Sequence, residues 1–244
     1  MLSTAELYFR DLFRQARLAA YQDAEGFQEL LFALEKFGAH LAKQILDLGR
    51  YEPVIGKFAI KSPLYSNIPD QWRQYHLPFG SLYELVRVAR NDALHQGAYA
   101  RHLTDHAVQL SLIIEDALMK DANLISDYMV RGVISAEVWQ PVSFVRQLML
   151  ANSFSYLPIL IQHDWYLLSD SNIANYTQVD RKKRLAKSVE EALKDGLQRE
   201  PANHCSPDTL ASKVIGNFSG KPLLVVDKKD KEVLLGIVTA FDLL

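Results

Sequence analysis

Two apolar pairs in the second half of this chain are built alike, and they constrain its fold more than any other feature. The runs "YLPILI" (156–161) and "WYLLS" (165–169) are separated by "QHD". The runs "KPLLVVD" (221–227) and "EVLLGIVT" (232–239) are separated by "KKDK". Short apolar runs joined by a few polar residues predict β-hairpins. Each pair follows a helical pattern, "PVSFVRQLMLANS" (141–153) or "SPDTLASKVIG" (206–216). Each runs on into a short helix start, "DSNIANY" or "AFDLL". The chain therefore carries a βαββα unit twice, with a spacing of about 65 residues. Between the copies lies "RKKRLAKSVEEALKDGLQRE" (181–200). It reads as one charged amphipathic linker helix over 180–200, either solvated or offering a basic patch.

The first half has a different period. Leu7, Leu12, Phe13, Leu18 and Ala19 form a helical stripe over 4–20, and 25–49 repeats the pattern with Gly49 as a stop. Pro53, Pro63, Pro69 and Pro78 mark 50–78 as a long connection. Helix resumes over 81–99, with Ser81 and Glu84 as a capping box, and Thr104 starts a last helix over 105–127. About four long helices without a strand predict an antiparallel bundle. The expected fold class is α+β: an all-α bundle over 1–125, then the repeat pair over 126–244. Within that pair the first repeat spans about 126–178 and the second about 201–244.

The chain is 49% hydrophobic and 23% charged, enough apolar material for two cores. A net charge of −2 gives no bulk attraction to nucleic acid, so any RNA contact is local. Cys205 is the single cysteine, which rules out an internal disulfide. There is no signal-peptide pattern, and no run approaches the ~18 apolar residues a spanning helix needs, so a cytoplasmic protein without a membrane partner is expected.

The second repeat carries Gly236, Ile237, Val238 and Thr239 at the end of its second strand and Asp242 in the following turn. The first carries Ser169 and Asn172 at the matching places and lacks the glycine. Over about 124–244 the pair resembles tandem cystathionine β-synthase (CBS) domains. That resemblance implies an adenosine nucleotide (ATP, ADP or AMP) or S-adenosylmethionine bound in the cleft between the copies as a regulatory ligand. Thr239, Asp242 and Gly236 would serve one half-site, and Ser169 and Asn172 the other. The chemistry is reasonable in itself. A carboxylate in a first helical turn can accept two hydrogen bonds from a ribose diol, and a hydroxyl at a strand end can meet a phosphate. The plainer alternative is a helix cap without a ligand.

In the first half, "RNDALHQG" (90–97) sets Arg90, Asn91 and His95 within six positions. Asn91 and His95 share a helix face, and the long Arg90 side chain can bend toward it. His can move a proton near neutral pH, and Arg can hold a phosphate bidentately. This is sufficient chemistry for metal-independent RNA cleavage by the ribose 2′-hydroxyl. The segment is similar to the Arg-x4-His motif of the HEPN family (higher eukaryotes and prokaryotes nucleotide-binding domain). The resemblance implies a ribonuclease acting as a homodimer, with Arg90 and His95 catalytic and Asn91 assisting, and with a cognate antitoxin as a possible partner. His102 and His106 lack the accompanying glutamate of a zinc helix, so no metal site and no required cofactor are expected. Two functions from different classes follow. One is an RNA endonuclease gated by a nucleotide at the repeats. The other is a non-catalytic nucleotide sensor whose bundle serves dimerisation or partner docking.

Overall fold

The apolar stripes of the first half form helices whose buried faces meet in one core. The computed structural model describes residues 1–22, 26–93, 100–216, 218 and 220–244, with backbone alone for 91–93 and 100–103. It is a mixed α and β structure in two units, Met1–Ala122 and Asn123–Leu244.

The first unit contains α1 (Thr4–Gln22), α2 (Phe27–Ala42), α3 (Leu48–Ala59), α4 (Asn67–Gln71), α5 (Phe79–Ala93) and α6 (Ala100–Met119). Phe13, Leu34, Ile55, Leu82 and Ile114 bring α1, α2, α3, α5 and α6 into one buried cluster. Phe37 meets Phe9, Phe13 and Phe58 edge-on, with ring centroids 5.0, 5.7 and 5.2 Å away. Edge-on geometry sets the positive rim of one ring on the negative face of the next. Gly38 lets α3 approach α2, because a Cβ there would lie 2.4 Å from Cγ of Tyr51.

Four local readings are corrected. The stretch 50–78 is not merely a connection, since α3 occupies its start. Asp47 caps that helix by accepting the Arg50 N–H at 3.1 Å, and Pro53 lies inside it. Gly49 therefore lies in the first turn of α3 and does not end α2, which stops at Ala42 with Lys43 in the left-handed region (φ 56°). Ser81 is not a cap, because α5 already starts at Phe79, and its expected box partner Glu84 is bound to Arg87 instead. Thr104 lies inside α6 and is buried.

The second unit contains α7 (Ile125–Tyr128), α8 (Val142–Asn152), β1 (Tyr156–Ile161), β2 (Asp164–Ser169), α9 (Asp170–Thr177), α10 (Arg181–Ala186), α11 (Val189–Lys194), β3 (Glu200–Pro201), β4 (His204–Cys205), α12 (Ala211–Ile215), β5 (Leu223–Val226) and β6 (Leu234–Val238). A 3-10 turn over Ala240–Leu243 follows. Two hairpins, β1–β2 and β5–β6, form where the apolar pairs predicted them. The single linker helix expected over 180–200 is instead two short helices. Ser188 interrupts it by capping α11, accepting the Glu191 N–H at 3.2 Å while the Glu191 carboxylate accepts the Ser188 N–H at 3.0 Å.

The two repeats exchange their opening segments. Val130, expected to open the first repeat, pairs antiparallel with Ile237 of the second. Glu200 and Pro201, leading into the second repeat, pair antiparallel with Leu167 and Tyr166 of the first. The exchange is matched elsewhere. Leu124 bridges Leu210, just as Ser188 bridges Pro141, and Ala136 runs parallel to Ile159 as Cys205 does to Val225. One edge of each hairpin, at β2 and at β6, is thereby covered by a segment from the other copy, which leaves fewer unpaired backbone groups. Leu167 from one copy and Leu224 and Val226 from the other are buried together where the copies meet.

Candidate functional site

Strand β6 ends at Val238, and the chain turns at Thr239. There the Thr239 N–H and hydroxyl both donate to Oδ2 of Asp242, each at 2.8 Å, and the Asp242 N–H donates to the Thr239 carbonyl at 3.1 Å. The carboxylate is thus fixed at the strand end by its own turn, as the capping alternative required. Gly236 has a packing function as well. A Cβ there would lie 2.8 Å from Sδ of Met129 and 3.0 Å from the Val130 carbonyl oxygen. The glycine lets the exchanged segment lie flat on β6.

The first repeat solves the same turn differently. Ser169, buried, accepts the Asn172 N–H on its Oγ at 3.1 Å and shares a 2.9 Å hydrogen bond with the Ser171 hydroxyl. Nδ2 of Asn172 is buried and lacks a hydrogen-bond partner among the described residues. A buried donor in this state costs on the order of 1–3 kcal/mol.

A cavity of about 410 Å³ opens in the second repeat, lined among others by Asn203, His204, Cys205, Lys213, Phe218 and Lys221. Its volume falls in the range of small-molecule sites. Leu223 is also in its wall and pairs with Val238, the residue before Thr239. Lys221 is ion-paired with Glu200, and Lys213 makes no ion pair among the described residues. Burial pushes the Cys205 thiol above its usual range, while a hydrogen bond with Thr209 opposes the rise. A thiol held neutral is a poor nucleophile. The cavity was not legible in advance, because its residues come from four separate stretches of sequence.

In the helical unit, Arg90 forms an ion pair with Glu35 at 2.6 Å. Asn91 lies in α5 but its side chain is not described, and His95 lies outside the described residues. Sequence reasoning missed a charged stripe nearer the core. Arg10, Arg14 and Arg17 follow one face of α1, and both Arg14 and Arg17 pair with Glu115 of α6. Burial pushes the Glu115 carboxyl up to about 6, against the pull of Arg17 and Arg14. No group of three or more His, Cys, Asp or Glu able to hold a metal ion exists among the described residues, and none of their helices is long and apolar enough to cross a membrane.

No protein-family model and no curated protein matches the sequence. The solved structures similar to this chain include CBS-domain proteins. A hemolysin-like protein containing a CBS domain, from Oenococcus oeni, is 17% identical over 49% of this chain and 86% of its own, with a TM-score of 0.39. CbpB in complex with c-di-AMP is 15% identical over 49% of this chain and 81% of its own, with a TM-score of 0.40. CBSX2 in complex with AMP is 18% identical over 49% of this chain and 91% of its own, with a TM-score of 0.37.

Proposed function

We propose that the chain is a nucleotide sensor whose repeat pair binds an adenosine nucleotide as a regulatory ligand. One observation carries this reading: a carboxylate and a hydroxyl are fixed together at the end of β6, in the same repeat that opens a cavity of ligand size. Asp242 would accept from a ribose diol, and Thr239 would face phosphate. In the helical unit the pairing of Arg90 with Glu35 favours dimerisation or partner docking over RNA cleavage. The carboxylate already occupies the guanidinium that a scissile phosphate would need.

Titration calorimetry with ATP, ADP, AMP, cyclic di-AMP and S-adenosylmethionine tests the first part. At least one should bind, and Asp242→Asn should weaken it by about tenfold, the worth of one charge-assisted hydrogen bond. Binding by none of the five ends the nucleotide reading. Incubation with a pool of short RNAs in EDTA, beside His95→Ala, tests the second part. Cleavage leaving 2′,3′-cyclic phosphate ends, lost in the variant, would replace the scaffold reading with the nuclease.

A further inference from the structure

The exchange between the repeats makes them comparable residue by residue. Ala136 and Cys205 each run parallel to the matched hairpin strand, and Pro141 and Leu210 each bridge the other copy's opening segment. Both pairs are 69 residues apart, so His204 corresponds to Ser135 and Lys213 to Phe144. The hairpin registers extend the match. Leu157 pairs with Leu168 and Leu223 with Val238, which makes Leu157 the counterpart of Leu223 and Ser155 the counterpart of Lys221.

The three basic side chains of the second-repeat cavity thus face a different set in the first. His204, Lys213 and Lys221 have Ser135, Phe144 and Ser155 as counterparts, with no cation among them. Among the described residues no carboxylate lines the cavity, although Glu200 pairs with Lys221, one of its lining residues. Phe144 is 40% exposed, so its ring lies on the surface where Lys213 carries its charge. Two lysines and an imidazole converging on about 410 Å³ without an acidic lining residue favour an anion. The matched place in the first repeat offers hydroxyls and an aromatic ring, which cannot neutralise one.

We propose that the two half-sites are chemically unequal: the second-repeat cavity binds one phosphate-bearing ligand per chain, and its counterpart in the first repeat binds none. The inference rests on the nucleotide reading for the identity of the ligand, and on the cavity's own basic lining for its charge.

Cys205 lies in the cavity wall and is the single thiol, so its alkylation reports occupancy. The full chain would be treated with N-ethylmaleimide alone, with inorganic pyrophosphate and with AMP, beside Lys213→Ala, the double variant Lys213→Ala/Lys221→Ala, and Phe144→Ala. Both probes should slow alkylation saturably, and each lysine removed should raise the half-protecting concentration by about tenfold. Phe144→Ala should leave that concentration unchanged. Equilibrium dialysis should find one AMP per chain. Protection by pyrophosphate without protection by AMP would keep the anion site and remove the nucleotide reading. Protection by AMP that survives the double lysine variant, or two AMP per chain, would keep the nucleotide reading and overturn the inequality. No protection by either probe would overturn the anion site itself.

Discussion

At the end of β2 the chain turns under a hydroxyl cap, Ser169, which serves the Asn172 N–H. At the end of β6 it turns under a carboxylate cap, Asp242, which serves the Thr239 N–H and hydroxyl. The backbone task is the same and the chemistry left over is not. The serine turn leaves a buried amide nitrogen without a partner among the described residues, and the aspartate turn leaves a negative charge at the strand end. A repeat can therefore keep its fold while one copy specialises, because helix capping accepts several side chains and ligand recognition does not.

The sharpest way to break this comparison is at Gly236 and its counterpart Tyr166. A valine at 236 would drive its side chain into Met129 and the Val130 backbone. Overpacking against backbone should cost about 3 kcal/mol, the upper end for an inserted side chain. Tyr166→Val should cost only about 1 kcal/mol, mainly the stacking of Arg199 on the ring at 4.4 Å. Urea unfolding followed by tryptophan fluorescence compares the two. Equal losses would mean that the second repeat does not depend on close approach of the exchanged segment.

The caps give the next contrast. Ser169→Ala removes a buried acceptor and should cost about 1 kcal/mol. Thr239→Val keeps the backbone N–H donation to Asp242 and loses only the hydroxyl, so about 0.5 kcal/mol is expected. The same unfolding measurement checks both. A larger loss at Thr239 would show that the hydroxyl, and not the backbone, holds the turn.

What the sequence made legible was local. The hairpins announced themselves as apolar runs around polar turns, and the Thr-x-x-Asp turn as a motif. The exchange of opening segments was hidden, since Val130 and its partner Ile237 are far apart in sequence and leave no periodic trace. Counting prolines concealed α3, because Pro53 is tolerated inside a helix that Asp47 caps. The Ser81–Glu84 pattern was a false start signal, as the chain had become helical at Phe79 and Arg87 claimed the glutamate. The arginine stripe on α1 escaped a reading that counted only apolar residues, although Arg10 is 0% exposed. Of the helical motif, Arg90 is seen in its ion pair, and His95 lies outside the described residues.

The smallest effect separates the two hairpin turns. Gln162 and His163 close β1–β2 with φ of 49° and 74°, the left-handed region at both turn positions. Asn-Gly is the residue pair that such a two-residue turn favours. The wild-type turn carries strain, and its partial return is the exposed hydrogen-bond contact between Nδ1 of His163 and the Glu232 carboxylate at 2.5 Å. An exposed pair contributes no more than about 0.5 kcal/mol. Relief of unfavourable φ at two positions is worth about 1 kcal/mol. The double change Gln162→Asn/His163→Gly should therefore raise stability by about 0.5 kcal/mol despite losing the pair, while Glu232→Gln alone should lower it by less than that. The second hairpin has no equivalent to relieve, because the Asp227 carboxylate already accepts the Lys229 and Asp230 N–H groups at 2.8 and 3.1 Å. If the double change lowers the urea midpoint, the His163–Glu232 contact between the hairpins holds more of the fold than its exposure implies.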